Sequence, residues 1–346
     1  MEKNTSQPWD IDIEDFYHQP TETDTLKFLL KFAILAPSTH NSQPWKFKII
    51  ENRIEVYIDR GVYTIVEADP IGRDLYMSIG AMLQNLLIVS RFYGLLESCI
   101  ITPSATNGPV AIFTYTQDPV EPDKSLRPLT AAIPRRLNAR GIFLPRPLPS
   151  DLIDDLANSP LEHSASASLK IITDSEKVHR IARLTQQGLR LAYKNPSFRK
   201  EMSRWIHSSS TSKKDGLPGY SLKMPWLLSF VLPTIIRFFD IGAFLGKKNY
   251  DSIITAPAIG VFTAPQGNLA TWIAIGRWFE HVSLQLVAHN FYTSVFVASI
   301  EMGNLAVSLQ NIIQSADTPQ FLFCIGAMQS VPPHSPRHSV EEKLMT

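Results

Sequence analysis

Ten consecutive residues, Ala36-Pro37-Ser38-Thr39-His40-Asn41-Ser42-Gln43-Pro44-Trp45, concentrate polar side chains between two stiffening prolines. Ser38, Thr39, Asn41 and Gln43 offer donors and acceptors within six positions. A rigid polar edge of this kind can match a planar ring that carries carbonyls and ring nitrogens in a fixed order. From composition alone a plain helix-to-strand loop reads equally well. Arg135, Arg136 and Arg140, with Asn138 among them, form the sharpest charge cluster. Guanidinium groups bind phosphate through paired hydrogen bonds as well as charge. Pro134 and Gly141 disfavour a long helix here. In an extended stretch Arg136, Asn138 and Arg140 share one face. A solvated basic loop is the competing reading. The chain has no G-x-G-x-x-G fingerprint, P-loop or G-x-S-x-G elbow. His281 and His289 are too far apart for one metal pair, so no metal site is expected.

The elements that must position these residues follow from hydrophobic spacing. Residues 23–35 read as a helix, with Leu26, Leu29, Leu30, Ala33 and Ile34 on one face and Pro37 as its stop. Residues 45–50 and 53–58 read as a hairpin turning at Glu51-Asn52. Residues 73–93 form a long apolar-faced helix closed by Gly94, and 110–115 a strand. Further on, Ser150 caps a short helix, 169–173 is a strand and 176–193 a helix. Residues 195–225, rich in Ser, Lys and Gly, read as an exposed excursion. Strands at 259–263, 293–297 and 321–325 alternate with helices at 272–288 and 305–312. Two helices echo each other. Ile79-Gly80 precedes Gly94 by the same offset that separates Ile275-Gly276 from Asn290, a residue tolerant of left-handed geometry. The spacing suggests a duplication, with chance similarity of two amphipathic helices as the alternative. The mixture favours an α+β fold over a doubly wound sheet.

The formal net charge is +1, and acidic and basic residues read as interspersed, which argues against a nucleic-acid partner. Cys99 and Cys324 lie in apolar surroundings and read as buried thiols. The polar, acidic start, residues 1–20, lacks an apolar stretch and is no signal peptide. An apolar run at 226–236, extended loosely to 245, is too short to span a bilayer. A helix at a protein interface is its leading reading, and contact with a membrane surface the second. No transmembrane segment is expected, and the chain is expected to be cytoplasmic.

The loop at 36–45 resembles the A-P-S-x-x-N-x-Q-P-W segment of nitroreductase-superfamily flavoproteins. Asp69-Pro70-Ile71-Gly72-Arg73-Asp74 running into the Gly80 helix resembles the Acg-like branch. So do Trp205 followed by Asp215-Gly216-Leu217-Pro218, and the closing Ser335-Pro336-Arg337. These matches run from about residue 25 to residue 344. The resemblance implies an α+β nitroreductase-like fold in which two similar halves are fused into one chain, with antiparallel or mixed sheets flanked by helices. The expected division is a flexible extension at 1–22, one half at 23–128, and a second at 129–346 with a lid-like insertion at about 195–245.

The resemblance also implies FMN as cofactor, in one composite site per chain. Pro37, Ser38, Asn41, Gln43, Pro44 and Trp45 would meet the ring or ribityl chain. Arg136, Asn138, Arg140 and Arg337 would hold the phosphate, with Arg135 compensating for Leu137, which replaces an Arg of the family's R-R-S-x-R segment. His338 likewise stands where such tails commonly carry Arg. Ser299 to Met302, including Glu301, would lie where the family approaches flavin N5 with a backbone N–H. No side chain is required as a nucleophile, because the cofactor carries the hydride. The implied activity is an oxidoreductase passing hydride from NAD(P)H to a small electrophilic acceptor such as a nitroarene or quinone. Two alternatives are an FMN-sequestering protein with little turnover, and an azoline dehydrogenase, for which no Lys-Tyr pair is identified. The fused pseudo-dimer is compatible with a monomer or with further self-association.

Overall fold

Chain direction through the first half is set by caps and turns visible in the local sequence. The computed structural model describes residues 7–103, 108–118, 120–158 and 167–345. The Thr21 side chain accepts from the Asp24 N–H and opens α1 (Glu22–Ala33), whose Leu26, Leu29, Leu30 and Ala33 face the core. Strands β1 (Trp45–Ile50) and β2 (Arg53–Ile58) form the expected hairpin, with Trp45 opposite Ile58. Helix α2 (Arg73–Phe92) runs through the core and is followed by left-handed Gly94 (φ 68°). Then come β3 (Leu96–Ile101) and β4 (Ala111–Tyr115), giving an antiparallel sheet in the order β1-β2-β4-β3. Strand β3 escapes the sequence pattern because it is an edge strand with Glu97 and Ser98 in its middle and Ile100 facing solvent.

After α3 (Arg127–Ala132) and α4 (Ser150–Asn158), the second sheet starts with β5 (Ser168–Ile172). Helices α5 (Ser175–Lys194) and α6 (Pro196–Trp205) follow, then the short parallel pair β6 (Ile206–His207) and β7 (Leu217–Pro218). Helices α7 (Trp226–Phe238) and α8 (Gly242–Ile253) complete this excursion. The sheet resumes with β8 (Ala258–Ala264), crosses back through α9 (Leu269–Ala288), and ends with β9 (Tyr292–Val295) and β10 (Thr318–Gly326). Helices α10 (Ala298–Glu301) and α11 (Leu305–Ile312) join the last two strands, and α12 (Val340–Lys343) closes the chain. The order is β5-β8-β10-β9, again antiparallel throughout.

The two sheets therefore share one topology, strand–strand–long helix–strand–strand, with the last strand inserted second from the far edge. The fold is α+β with two like halves. In the first half a two-residue turn joins the first pair of strands; in the second, residues 173–257 occupy that connection. The echo of the glycine helices has a physical basis. At the crossing of α2 and α9, a Cβ on Gly80 would lie 2.2 Å from the Ile273 carbonyl oxygen. A Cβ on Gly276 would lie 2.1 Å from that of Met77. Each contact residue stands three positions before the other helix's glycine, so the contact is reciprocal, as a two-fold axis through the crossing requires. Helix α2 has the length and apolarity to cross a bilayer, yet it lies almost wholly buried in this core.

The described part of the N-terminal segment differs from the flexible extension expected. Phe16 stacks on Tyr93 at 3.7 Å, and the Trp9 indole donates to the Ser335 carbonyl. Buried aromatic surface there outweighs the entropy of a free tail. Residues 1–6 of that segment lie outside the described residues.

Candidate functional site

The 36–45 loop is held in a conformation that few side chains adopt freely. His40, Asn41 and Gln43 all have positive φ, at 51°, 58° and 49°. Each such residue costs on the order of 1 kcal/mol, so the surroundings must over-determine the turn. Three segments do so. From α2, the Ser78 hydroxyl accepts from the Thr39 N–H at 3.1 Å. From the excursion, the Lys214 carbonyl accepts from the side-chain amides of Asn41 (3.2 Å) and Gln43 (2.8 Å). From the C-terminal tail, the His338 N–H donates to Gln43 Oε1 at 2.9 Å and Lys343 Nζ to the Gln43 carbonyl at 2.8 Å. Within the loop the Ser38 hydroxyl accepts from the Gln43 N–H at 2.9 Å.

Several expected cofactor contacts are thereby occupied by protein. Asn41 and Gln43 direct their amides at backbone carbonyls. Arg337 donates to Asn41 Oδ1, to the Pro336 carbonyl and to the Leu35 and Ala36 carbonyls, with its guanidinium 4.7 Å from the Trp9 ring. It is a brace for the loop, desolvated and held far below its ordinary pKa by burial and the neighbouring Arg136 charge. Trp45 is fully buried and packs into the hydrophobic core, and Pro44 is buried beside it. Pro37 and Ser38 remain partly accessible.

The arginine cluster splits three ways rather than presenting one face. Arg135 donates to Asn290 Oδ1 at 2.9 Å, at the C-terminal end of α9, and so does not stand in for Leu137, which is itself buried. Arg136 donates to the Leu35 carbonyl at 2.8 Å, and its Nε lies 3.2 Å from Glu280 Oε1. Both members of that ion pair are buried, and desolvation lifts the Glu280 carboxyl to about 7. Asn138 Oδ1 accepts from the Val295 N–H at 3.0 Å and continues the second sheet through a bridge to Thr293. Arg140 alone has no carboxylate or hydrogen-bond partner among the described residues. It lies beside Tyr193 and His40, and burial lowers its pKa.

His40 is the residue that sequence reasoning passed over inside its own best motif. Its Nε2 is buried without a partner, and its ring centroid is 6.1 Å from that of Trp205. Burial first, and the Arg140 charge second, hold its pKa down to about 4. The unfolded chain takes up a proton as pH falls below about 6.5, while folded His40 resists until about 4. Stability is therefore lost across that window as pH falls, by up to about 3 kcal/mol from this group. The expected result is that His40→Asn, whose side chain tolerates positive φ, shows a shallower loss of urea midpoint between pH 6.5 and 4. Identical slopes for wild type and variant would show that His40 is not held neutral.

Across the loop, the other expected segment is also tied down. Ser299 is buried with its hydroxyl unpartnered, and its backbone N packs against Gly188 of α5. Glu301 pairs with Arg73 at 3.2 Å, which also meets Asp74 at 3.1 Å. Burial, with Asp74 and Asp69 nearby, pushes the Glu301 carboxyl up to about 8. The Asp69–Asp74 motif of the first half thus anchors α10 of the second. Its signal was present in the sequence, but its partner sits more than two hundred residues away.

Residues 195–225, expected as an exposed excursion, are largely folded and partly buried. Phe198, Met202, Trp205 and Ile206 form a hydrophobic cluster with Ile65, Tyr193 and Ile236. Glu201 accepts three backbone N–H groups, from Val66, Glu67 and Ala68, at 2.7–3.0 Å. This segment covers the loop through Lys214 and Trp205. A separate pocket of about 390 Å³ borders Lys214 and Arg337. Its lining mixes Lys31 and Lys213 with Asp10 and Glu341 and includes none of residues 37–45, so it meets the loop only through the residues that brace it.

Comparison with known proteins rests on sequence. The protein named NAD(P)H nitroreductase acg of Mycobacterium tuberculosis is 25% identical over 332 residues, 92% of this chain and 95% of the relative. The chain is similar to Acg along nearly its whole length. This full-length match agrees with the Acg-like pattern of the 36–45, 69–74 and 335–337 segments. The NAD(P)H nitroreductase Rv3131 of the same organism is 29% identical over 128 residues, so that match spans only 37% of either chain. No family model matches the chain. Among solved structures, the FMN-dependent nitroreductase NfnB from Mycobacterium smegmatis, in complex with NADPH, is 12% identical. It covers 64% of this chain and 98% of its own, at a TM-score of 0.41.

Proposed function

We propose that this chain is an FMN-dependent oxidoreductase that passes hydride from NAD(P)H to a small electrophilic acceptor, a nitroarene or a quinone. The observation that carries the reading is Arg140. A partly buried guanidinium with no carboxylate beside it among the described residues is a ready partner for an anion. It stands against a strained loop whose His40 nitrogen is also unpartnered. A phosphate monoester supplies the missing charge, and the buried, unpartnered Ser299 hydroxyl offers a further polar contact. The residues present therefore fit FMN, with Arg140 on the phosphate and Pro37 and Ser38 toward the ring or ribityl chain. Bound FMN would supply two-electron chemistry between the nicotinamide and the acceptor. The chain's own part is to bind and exclude water. Arg136, Arg337 and Lys343 hold the loop's backbone, Arg73 holds α10 through Glu301, and the 196–222 segment shields the loop from solvent.

One observation favours the second reading, retention of FMN with little turnover. The covering segment is hydrogen-bonded to the loop itself through Lys214, so an acceptor must displace it. The nicotinamide supply suits a cytoplasmic location. The two readings separate by anaerobic mixing of the flavin-loaded chain with NADH or NADPH. Bleaching of the flavin absorbance, and its return on adding a nitroarene, is expected for the oxidoreductase. Persistent yellow colour assigns retention instead. Flavin content should be one per chain, because the second half lacks its own copy of the 36–45 motif. Two per chain would overturn the composite-site reading.

A further inference from the structure

Helix α7 is amphipathic in the wrong sense for a helix that only packs on its own fold. Leu227, Phe230, Val231 and Phe238 fall at three-, four- and seven-residue spacing on its outward face. Leu227 is 74% exposed and Phe238 65%. The buried positions are Ser229 and Ile236, so the more apolar face looks at solvent. Phe239 and, at the start of α8, Phe244 continue the exposed surface. A patch of this kind on a soluble chain marks something that covers it.

Charge identifies the cover. Between residues 183 and 251 the chain carries twelve Lys and Arg against four Asp and Glu, a surplus of eight in a protein whose net charge is +1. One of those four acids, Glu201, is buried on backbone N–H groups. The near-neutral total hides an uneven distribution of charge along the chain. In this stretch α6 packs on α7 and α8 on α5, and two of the cations lie directly on the apolar surface. The Arg237 guanidinium lies 5.6 Å from the Phe238 ring, and Lys248 Nζ 5.4 Å from that of Phe244. Both residues are exposed, and long basic side chains can cover apolar surface while their heads stay in water. A second copy docking on the same patch would bring like charges face to face. At 13 residues α7 is about 20 Å long and too short to cross a bilayer.

We propose that α7 and the start of α8 seat the protein on an anionic lipid bilayer, with the helix flat in the interface and the basic rim on the headgroups. Apolar burial and headgroup attraction together give stable but reversible binding that weakens with salt. Nothing in this reading requires the flavin assignment. Because Ser229 of α7 accepts from the Ser209 N–H, the seated helix would be continuous with the segment that covers the 36–45 loop.

The test is sedimentation of the intact protein with vesicles of phosphatidylcholine alone or mixed with phosphatidylglycerol. Binding is expected only with phosphatidylglycerol. It should fall at least about tenfold in the Leu227→Ser/Phe238→Ser double variant, and again when salt is raised from low to physiological strength or above. Both substituted residues are largely exposed, so an unchanged thermal melt and flavin content provide the folding control. Three outcomes overturn the proposal: no binding to phosphatidylglycerol vesicles, equal binding by the variant, or a wild-type dimer in solution that the variant dissociates without any vesicle binding.

Discussion

Gly276→Ala is expected to lower the folding stability by about 3 kcal/mol or more, and Gly80→Ala by a similar amount. A methyl group at either position would meet a backbone carbonyl oxygen at 2.1–2.2 Å, far inside contact distance. Backbone cannot rotate away as a flexible side chain can. The α2–α9 crossing must therefore open, and with it the core shared by both halves. Alanine's better helix propensity returns only about 1 kcal/mol. Because both glycines serve one crossing, the two losses should not add. Once the helices have separated for the first methyl, the second finds part of its space made. Urea unfolding of the two single variants and the double variant checks this. Single losses under about 0.5 kcal/mol would show that the close approach is not real, and strict additivity would show that the two contacts are independent.

Arg140→Ala and Arg136→Ala should behave oppositely although the residues lie four apart. Loss of Arg140 removes a guanidinium that has no carboxylate or hydrogen-bond partner among the described residues, so thermal stability of the FMN-free chain should hold or rise. FMN affinity should fall about 30-fold or more, taking roughly 2 kcal/mol for the charge-assisted hydrogen bonds lost. Loss of Arg136 strands the buried Glu280 carboxylate and leaves the Leu35 carbonyl at the mouth of the loop to Arg337 alone. That variant should lose about 3–5 kcal/mol of stability. Fluorescence titration with FMN, paired with thermal melts, separates the two effects. FMN retained at wild-type affinity by Arg140→Ala sinks the phosphate assignment. An undiminished melt for Arg136→Ala would show that the Glu280 pair contributes little.

Legibility followed sequence separation. The β1–β2 hairpin, the α11 helix and the caps at Gly94 and Asn290 were readable because their causes are local: alternation, spacing and left-handed tolerance. Strand β3 was missed because an exposed edge strand needs no alternation. The stretch at 195–225 was read as exposed because Ser, Lys and Gly dominate its composition. Phe198, Met202 and Trp205 nevertheless bury against residues from the first half. The interspersed charge was a reading of the total, and a window over residues 183–251 would have exposed the polarity.

The sequence by itself determined the α+β class, the duplicated helix pattern and the loop at 36–45, each carried by neighbours along the chain. Only the tertiary structure decided which polar groups are already satisfied. Asn41, Gln43, Arg136 and Arg337 turn to protein partners as much as 302 residues away, and Arg140 is left without one among the described residues. That distinction has a simple physical reason. A side chain's type states what it can bond to, but burial and the approach of distant backbone determine what remains for a ligand.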